Sequence, residues 1–203
     1  LAKALQAAVK DLVVLASGDS AAIERLQPMF LGFARKVCDL GEFGNGSKMK
    51  YVANLMVAIH NVSAAEAFVL GMKAGLSPKA IYDVQANGAG TSRMFQVRGP
   101  MMVAGRYRDV TMKNEVWQKD MKIIGEFAAA LGAPTPLFNA SAAIYSAAMA
   151  QGHAKHDTAA VCAVRGVVGC ADGDGPAVRG DRHAPAELVS LRAADGAGQL
   201  GVG

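Results

Sequence analysis

Gly41-Glu42-Phe43-Gly44-Asn45-Gly46-Ser47-Lys48-Met49-Lys50-Tyr51-Val52-Ala53-Asn54 is the stretch on which the fold turns. Its glycines mark a turn, and from Ser47 to Lys73 there is no proline and no glycine before Gly71, which predicts a long helix. Two phosphate-loop readings fail here. A P-loop needs Gly-Lys-Ser/Thr, but Ser47 stands between Gly46 and Lys48. A dinucleotide fingerprint needs a third glycine where Met49 stands. What remains is Lys50 and Asn54, four residues apart and so on one helix face, with Asn61 returning to that face two turns later. The positive end of the helix disfavours a charged lysine, which lowers its pKa, more so with burial, and suits it to proton transfer near neutral pH. Asn54 can both donate to and accept from a substrate oxygen. The bland alternative is a solvated lysine and a loop-fixing asparagine.

Upstream, residues 1–43 read as α/β. Asp11-Leu12-Val13-Val14-Leu15-Ala16 is a short apolar run stopped by Ser17-Gly18-Asp19, a buried strand and turn. Ser20 is placed to cap a helix reaching about Ala34, and Lys36–Leu40 reads as a second strand. Downstream, residues 44–164 read as helices. Met49, Val52, Met56, Ile59, Ala67 and Leu70 recur at helical spacing in the first, and Gly75 is placed to end it. Ser77-Pro78 starts a short helix to about Ala86, and the stretch Gly88–Ser92 breaks it. Arg98, Arg106 and Arg108 fall in what reads as a solvated loop, with a carboxylate-binding role as the alternative. Further helices are expected over Thr111–Leu131 and Phe138–Ala150, with Asp157 capping a last one. Trp117 is expected to anchor a helix–helix contact and the methionines to fill space.

Residues 165–203 differ in kind: nine of the 39 are glycine and the apolar periodicity is lost after Val164. They read either as a flexible tail or as GC-rich DNA translated out of frame. The chain begins at Leu1, which suggests a fragment or processed product. The sequence is 52% hydrophobic and 19% charged, so a sizeable core is expected. No run reaches 18 uncharged apolar residues and no secretory signal is visible, so a cytoplasmic protein is expected. The net charge of +4 is scattered among acids, which argues against nucleic acid and suits a small anionic ligand. Cys38, Cys162 and Cys170 fit no zinc spacing and read as reduced thiols; His153 and His156 flank a loop with Asp157 but are not joined by the converging ligands a metal needs, so no metal is expected.

The string Gly44-x-Gly46-x-x-x-Lys50-x-x-x-Asn54 resembles the signature of the β-hydroxyacid dehydrogenases, the family of 3-hydroxyisobutyrate, threonate and tartronate semialdehyde enzymes, related to 6-phosphogluconate dehydrogenase. Trp117-Gln118-Lys119-Asp120-Met121 is similar to a second family feature, with Met121 for leucine. Gly152 to Asp157 resembles a third, and Leu12 to Asp19 resembles the end of the family's nucleotide domain. The resemblance covers residues 8–164.

It implies a mainly α fold. Residues 1–43 would be the remnant of a Rossmann-type α/β domain, 44–164 an all-helical bundle for substrate and dimerisation, and 165–203 the tail. Lys50 would be the catalytic acid/base. Asn54 would orient the substrate and Asp157 would lie near its pocket. Lys119 and Gly46 would contact NAD or NADP, with Asp120 positioning Lys119 or tying helices. A small hydroxyacid substrate and a homodimer or tetramer follow by the same resemblance, with no membrane partner. The Gly-rich dinucleotide loop and the Ser-Gly-Gly substrate loop are absent, Leu1 to Gln6 not matching the latter, so weak or no activity is expected of these residues alone. The rivals are a non-catalytic helical dimerisation or interaction module and a reductase for imines or phosphorylated sugar acids.

Overall fold

Parallel strands need a crossover, and the chain supplies one at its start. A computed structural model describes residues 7–164. β1 (Leu12–Ala16) is followed by α1 (Ser20–Leu31), which returns the chain to β2 (Ala34–Asp39). The strands pair in parallel from Leu12↔Ala34 to Ala16↔Asp39, with a register shift after Leu12. Asp19, not Ser20, caps α1, its carboxylate accepting from the N–H groups of Ala21 (2.9 Å) and Ala22 (3.2 Å). The helix ends at Leu31 rather than Ala34, because Ala34 is taken by β2. The α/β layer is thin. No residue of α1 is buried, and Val13, Leu26, Met29 and Phe33 remain exposed.

The helices follow as α2 (Asn45–Lys73), α3 (Pro78–Gln85), α4 (Arg93–Ala104), α5 (Asn114–Ala130) and α6 (Pro136–Ala150), with a closing 3-10 turn, Thr158–Ala163. The 29-residue α2 is the axis, touching β1, α3, α4, α5, α6 and the 3-10 turn. It is long and apolar enough to cross a membrane by length and composition. Here it serves as the central helix of the bundle, with Ala58, Val62, Ala64, Ala65 and Phe68 buried. Of the row that gave its periodicity, Met49, Val52, Met56, Ala67 and Leu70 face solvent, while Ile59 packs against the core. The helix is apolar all round, so spacing alone does not tell which face meets the bundle.

Small residues set how closely the helices approach. Ala58, Ala64 and Ala65 of α2, Ala148 of α6 and Ala159 and Ala160 of the 3-10 turn are almost fully buried. Rings fill the spaces around them. Phe95 stacks on Phe68 (5.4 Å between centroids) and Tyr82 (5.8 Å), Trp117 lies 6.2 Å from Tyr145, and Tyr51 meets Phe127 edge-on at 5.1 Å.

The segment from Gly88 to Asp109 is not one long loop. Ser92 accepts from Phe95 N–H (3.0 Å) and starts α4, which carries Gly99 and Pro100 inside it. That pair reads as a helix breaker, yet Gly99 is needed for packing: a Cβ there would lie 2.5 Å from the Tyr82 ring. Arg98 is accordingly buried rather than solvated. Residues 165–203, where the tail was expected, lie outside the described residues.

Candidate active site

The chain enters α2 through a turn that its side chains tie down. Asp39 accepts from Gly41 N–H at 2.9 Å, and Asn45 donates to Leu40 O at 2.9 Å. The Ser20 hydroxyl and the Gly41 N–H hold the Asp39 carboxyl below the usual carboxylate range. Gly44 (φ 93°) is the N-cap and brings no side-chain oxygen to the free N–H groups of the first turn. Gly46 is buried because α2 starts against the end of β1: a Cβ there would sit 2.6 Å from Leu15 O.

This entry opens a groove of about 760 Å³ along β1. Its walls are Leu12 to Ser17, the α1 residues Ile23, Leu26 and Phe30, and the α2 residues Gly46, Ser47 and Lys50. The groove is apolar along the strand and polar at its carboxyl end, where Ser17, Asp19, Ser47 and Lys50 gather. Crevices at the carboxyl ends of parallel strands are the usual ligand sites of α/β sheets. Lys50 is exposed at this polar end. Neighbouring Lys48 is occupied, donating to Asn45 Oδ1 at 3.0 Å. Asn54 lies one turn beyond Lys50 and is half-buried.

The other expected residues fall elsewhere. Lys119 is exposed on α5 and is not among the groove's lining residues. Asp120 makes no ion pair among the described residues. Asp157 is not among the groove's lining residues either. It is fully buried; Oδ1 accepts from Arg98 Nε (3.1 Å) and Ala159 N (2.9 Å), and Oδ2 from Thr111 N (2.7 Å), Thr111 Oγ1 (2.7 Å) and Met112 N (3.0 Å). A carboxylate with both oxygens so occupied has no lone pair to offer a substrate. Burial pushes its carboxyl up, but Arg98 and the donors from Ala159, Met112 and Thr111 together hold it below the ordinary value.

Asn61, two turns beyond Asn54 along the same α2 face, is covered there by α6 and the 3-10 turn. It is fully buried, its Nδ2 donating to Tyr145 OH (2.9 Å) and Thr158 O (2.8 Å). Cys38 is the free thiol among the described residues, whereas Cys162 is disulfide-bonded, which corrects the reduced reading for that residue. No group of three or more metal-ligating side chains occurs among the described residues. Sequence reasoning missed Ser17 and Ser47 at the groove mouth and the Arg98–Asp157 pair. Serines carry no spacing signal, and the pair joins residues far apart in sequence.

The family described as "NAD-binding of NADP-dependent 3-hydroxyisobutyrate dehydrogenase" matches residues 44–165. The chain is 35% identical over 161 residues to an L-threonate dehydrogenase of Haemophilus influenzae, covering 79% of this chain and 52% of that protein. It is 31% identical over 152 residues to the chloroplastic glyoxylate/succinic semialdehyde reductase 2 of Arabidopsis thaliana, covering 74% of this chain and 42% of the other. Among solved structures, a 3-hydroxyisobutyrate dehydrogenase from Salmonella typhimurium superposes with a TM-score of 0.73 at 33% identity, covering 78% of this chain and 56% of that one. The chain thus spans about half the length of the curated relatives it matches.

Proposed function

From the premise that this chain belongs to the family of NADP-dependent 3-hydroxyisobutyrate dehydrogenases, matched through its NAD-binding helical part, we propose that it forms the proton-transfer half of an NAD(P)-dependent oxidoreductase acting on a small β-hydroxyacid or its semialdehyde. The observation that carries this reading is the place of Lys50, exposed at the polar mouth of the groove beside β1.

The groove suits one end of a dinucleotide. Gly46 lets the uncapped helix start lie directly on the strand end, leaving N–H donors beside Lys50. No Gly-rich pyrophosphate loop occurs among the described residues, so the rest of the cofactor would be held elsewhere. When bound, the nicotinamide group gives or takes the hydride. Lys50 does the complementary work. Its ammonium hands a proton to the carbonyl oxygen as negative charge develops there, and its neutral amine removes the hydroxyl proton in the oxidising direction. Asn54, one turn along the same face, hydrogen-bonds the substrate oxygen and fixes its angle to Lys50. Lys119 and Gly46 are assigned to the cofactor by resemblance.

A homodimer or tetramer belongs to the same reading. Met49, Val52 and Met56 are 42%, 54% and 46% exposed, an apolar row on a different side of α2 from Lys50 that a second subunit would cover. A non-catalytic dimerisation module would present that row too. The two readings separate on cofactor response.

The test is Lys50→Ala in the full-length enzyme, assayed with threonate, 3-hydroxyisobutyrate, glyoxylate and succinic semialdehyde. A fall in kcat of about 10²–10⁴ with unchanged Tm is expected. A kcat near that of the unchanged enzyme overturns the mechanism, and no turnover or NAD(P)H binding by either protein favours the interaction module.

A further inference from the structure

The step Asp157-Thr158 sits at the centre of the helical bundle and gathers polar groups from three other elements. Asn61 of α2 donates to Thr158 O (2.8 Å), and Asn114 of α5 donates to Asp157 O (3.3 Å) and His153 O (3.0 Å). Tyr145 of α6 accepts from Asn61 and donates to Ala58 O (3.2 Å), and its ring lies 6.2 Å from that of Trp117, one turn beyond Asn114. Asn61, Asn114, Trp117, Tyr145, Asp157 and Thr158 are each at most 3% exposed.

Four of their polar atoms find no hydrogen-bond partner among the described residues: Asn61 Oδ1, Asn114 Oδ1, Thr158 Oγ1 and Trp117 Nε1. One unpaired buried group is tolerable in a folded protein; four are not, when they belong to Thr158, to the two asparagines bonded to the Asp157-Thr158 backbone and to the tryptophan one turn from Asn114, since each costs as much as a lost hydrogen bond. Their chemistry defines what would satisfy them. Both amide oxygens only accept, the indole N–H only donates, and the threonine hydroxyl does either. An anion would repel the amide oxygens and a metal ion would repel the indole N–H. Only a small neutral molecule that donates and accepts at once matches the set.

We propose that this cluster is an internal hydration site, in which buried water bridges α2, α5 and the 3-10 turn through Asn61, Asn114, Trp117 and Thr158. The site is separate from the Lys50 groove and independent of the reaction assigned to it. The water completes the tie between the centre of α2 and the last described turn, so it is a structural ligand of the bundle.

Thr158→Val tests it, because valine keeps the shape and removes only the hydroxyl. If Oγ1 bonds water, the change strands that water's partner and lowers Tm by about 2–4 °C. If Oγ1 is dry, removing an unsatisfied buried group raises Tm. A crystal structure of the unsubstituted chain, resolving ordered solvent, gives the second reading. Density within about 3.2 Å of both Thr158 Oγ1 and Asn61 Oδ1 supports the proposal. A raised or unchanged Tm, or the absence of that density, overturns it.

Discussion

Arg98 Nε lies 3.1 Å from Asp157 Oδ1, with only 7% of the arginine side chain and none of the aspartate exposed. This pair, buried between α4 and the 3-10 turn, holds the segment leading into α5, because the same carboxylate takes both donors of Thr111 and the N–H of Met112. Removing the aspartate strands a buried cation and four further donors. Asp157→Ala should therefore destabilise the fold by about 3–5 kcal/mol. Arg98→Met should cost less, since the other four hydrogen bonds to Asp157 survive it. Urea midpoints at unchanged m-value give the order, and a larger loss for Arg98→Met would refute this account of the segment.

The same carboxylate sets an acid limit. Its folded pKa lies below the value of about 3.9 that an aspartate has in an unfolded chain. The stability it contributes is complete above the unfolded pKa and is lost as pH falls through the folded one. Asp157→Asn should be less stable at neutral pH and should flatten the acid limb of a Tm-against-pH curve below about pH 4. A variant curve merely parallel to that of the original chain would point to another group.

At the alkaline end the group to watch is Tyr145. Burial pushes its phenol up to about 12, against the opposing pull of Asn61 and Arg98. A raised folded pKa means stability that is intact below about pH 10 and fades as pH rises toward the folded value. Ultraviolet titration should show one tyrosine ionising last, together with unfolding. Tyr145→Phe should remove that step.

Gly46 admits no side chain. A methyl group there would press on Leu15 O, a backbone atom that yields only if α2 moves off β1. Gly46→Ala should cost about 1–3 kcal/mol, and by shifting the first turn it should lower turnover through Lys50 more than it lowers Tm. Comparing the two losses with those of the buried Gly99→Ala, which crowds Tyr82 instead, separates site damage from general overpacking.

How much of this was legible beforehand depends on range. The β1–α1–β2 order, the start of α2 and the Ser77 and Asp157 caps depend on neighbours within a few residues, and local pattern reveals them. The Lys50–Asn54 face is local in the same way. The burial of Asp157 and Asn61 is not, because it is decided by Arg98, Thr111 and Tyr145, which spacing cannot bring together. α4 was hidden because Gly99-Pro100 breaks a helix in isolation, and only the Tyr82 ring explains the glycine. The outward row Met49–Val52–Met56 misled for a related reason: an apolar stripe marks a face that something covers, without saying whether this chain does so.

The bonds at the centre of the bundle also dictate an order of events. Asn61 reaches Thr158 across 97 positions and Tyr145 reaches Ala58 across 87, while β1 and β2 close over a single short crossover. On a ribosome adding about 5–20 residues per second, the strand pair can zip soon after it emerges. The long central helix must wait, its inner face uncovered, until the final turn has been made. Among the described residues, the slowest-closing contact is therefore the one nearest the middle of that helix, and a nascent helix with that much apolar surface is where chaperone capture or premature self-association would begin.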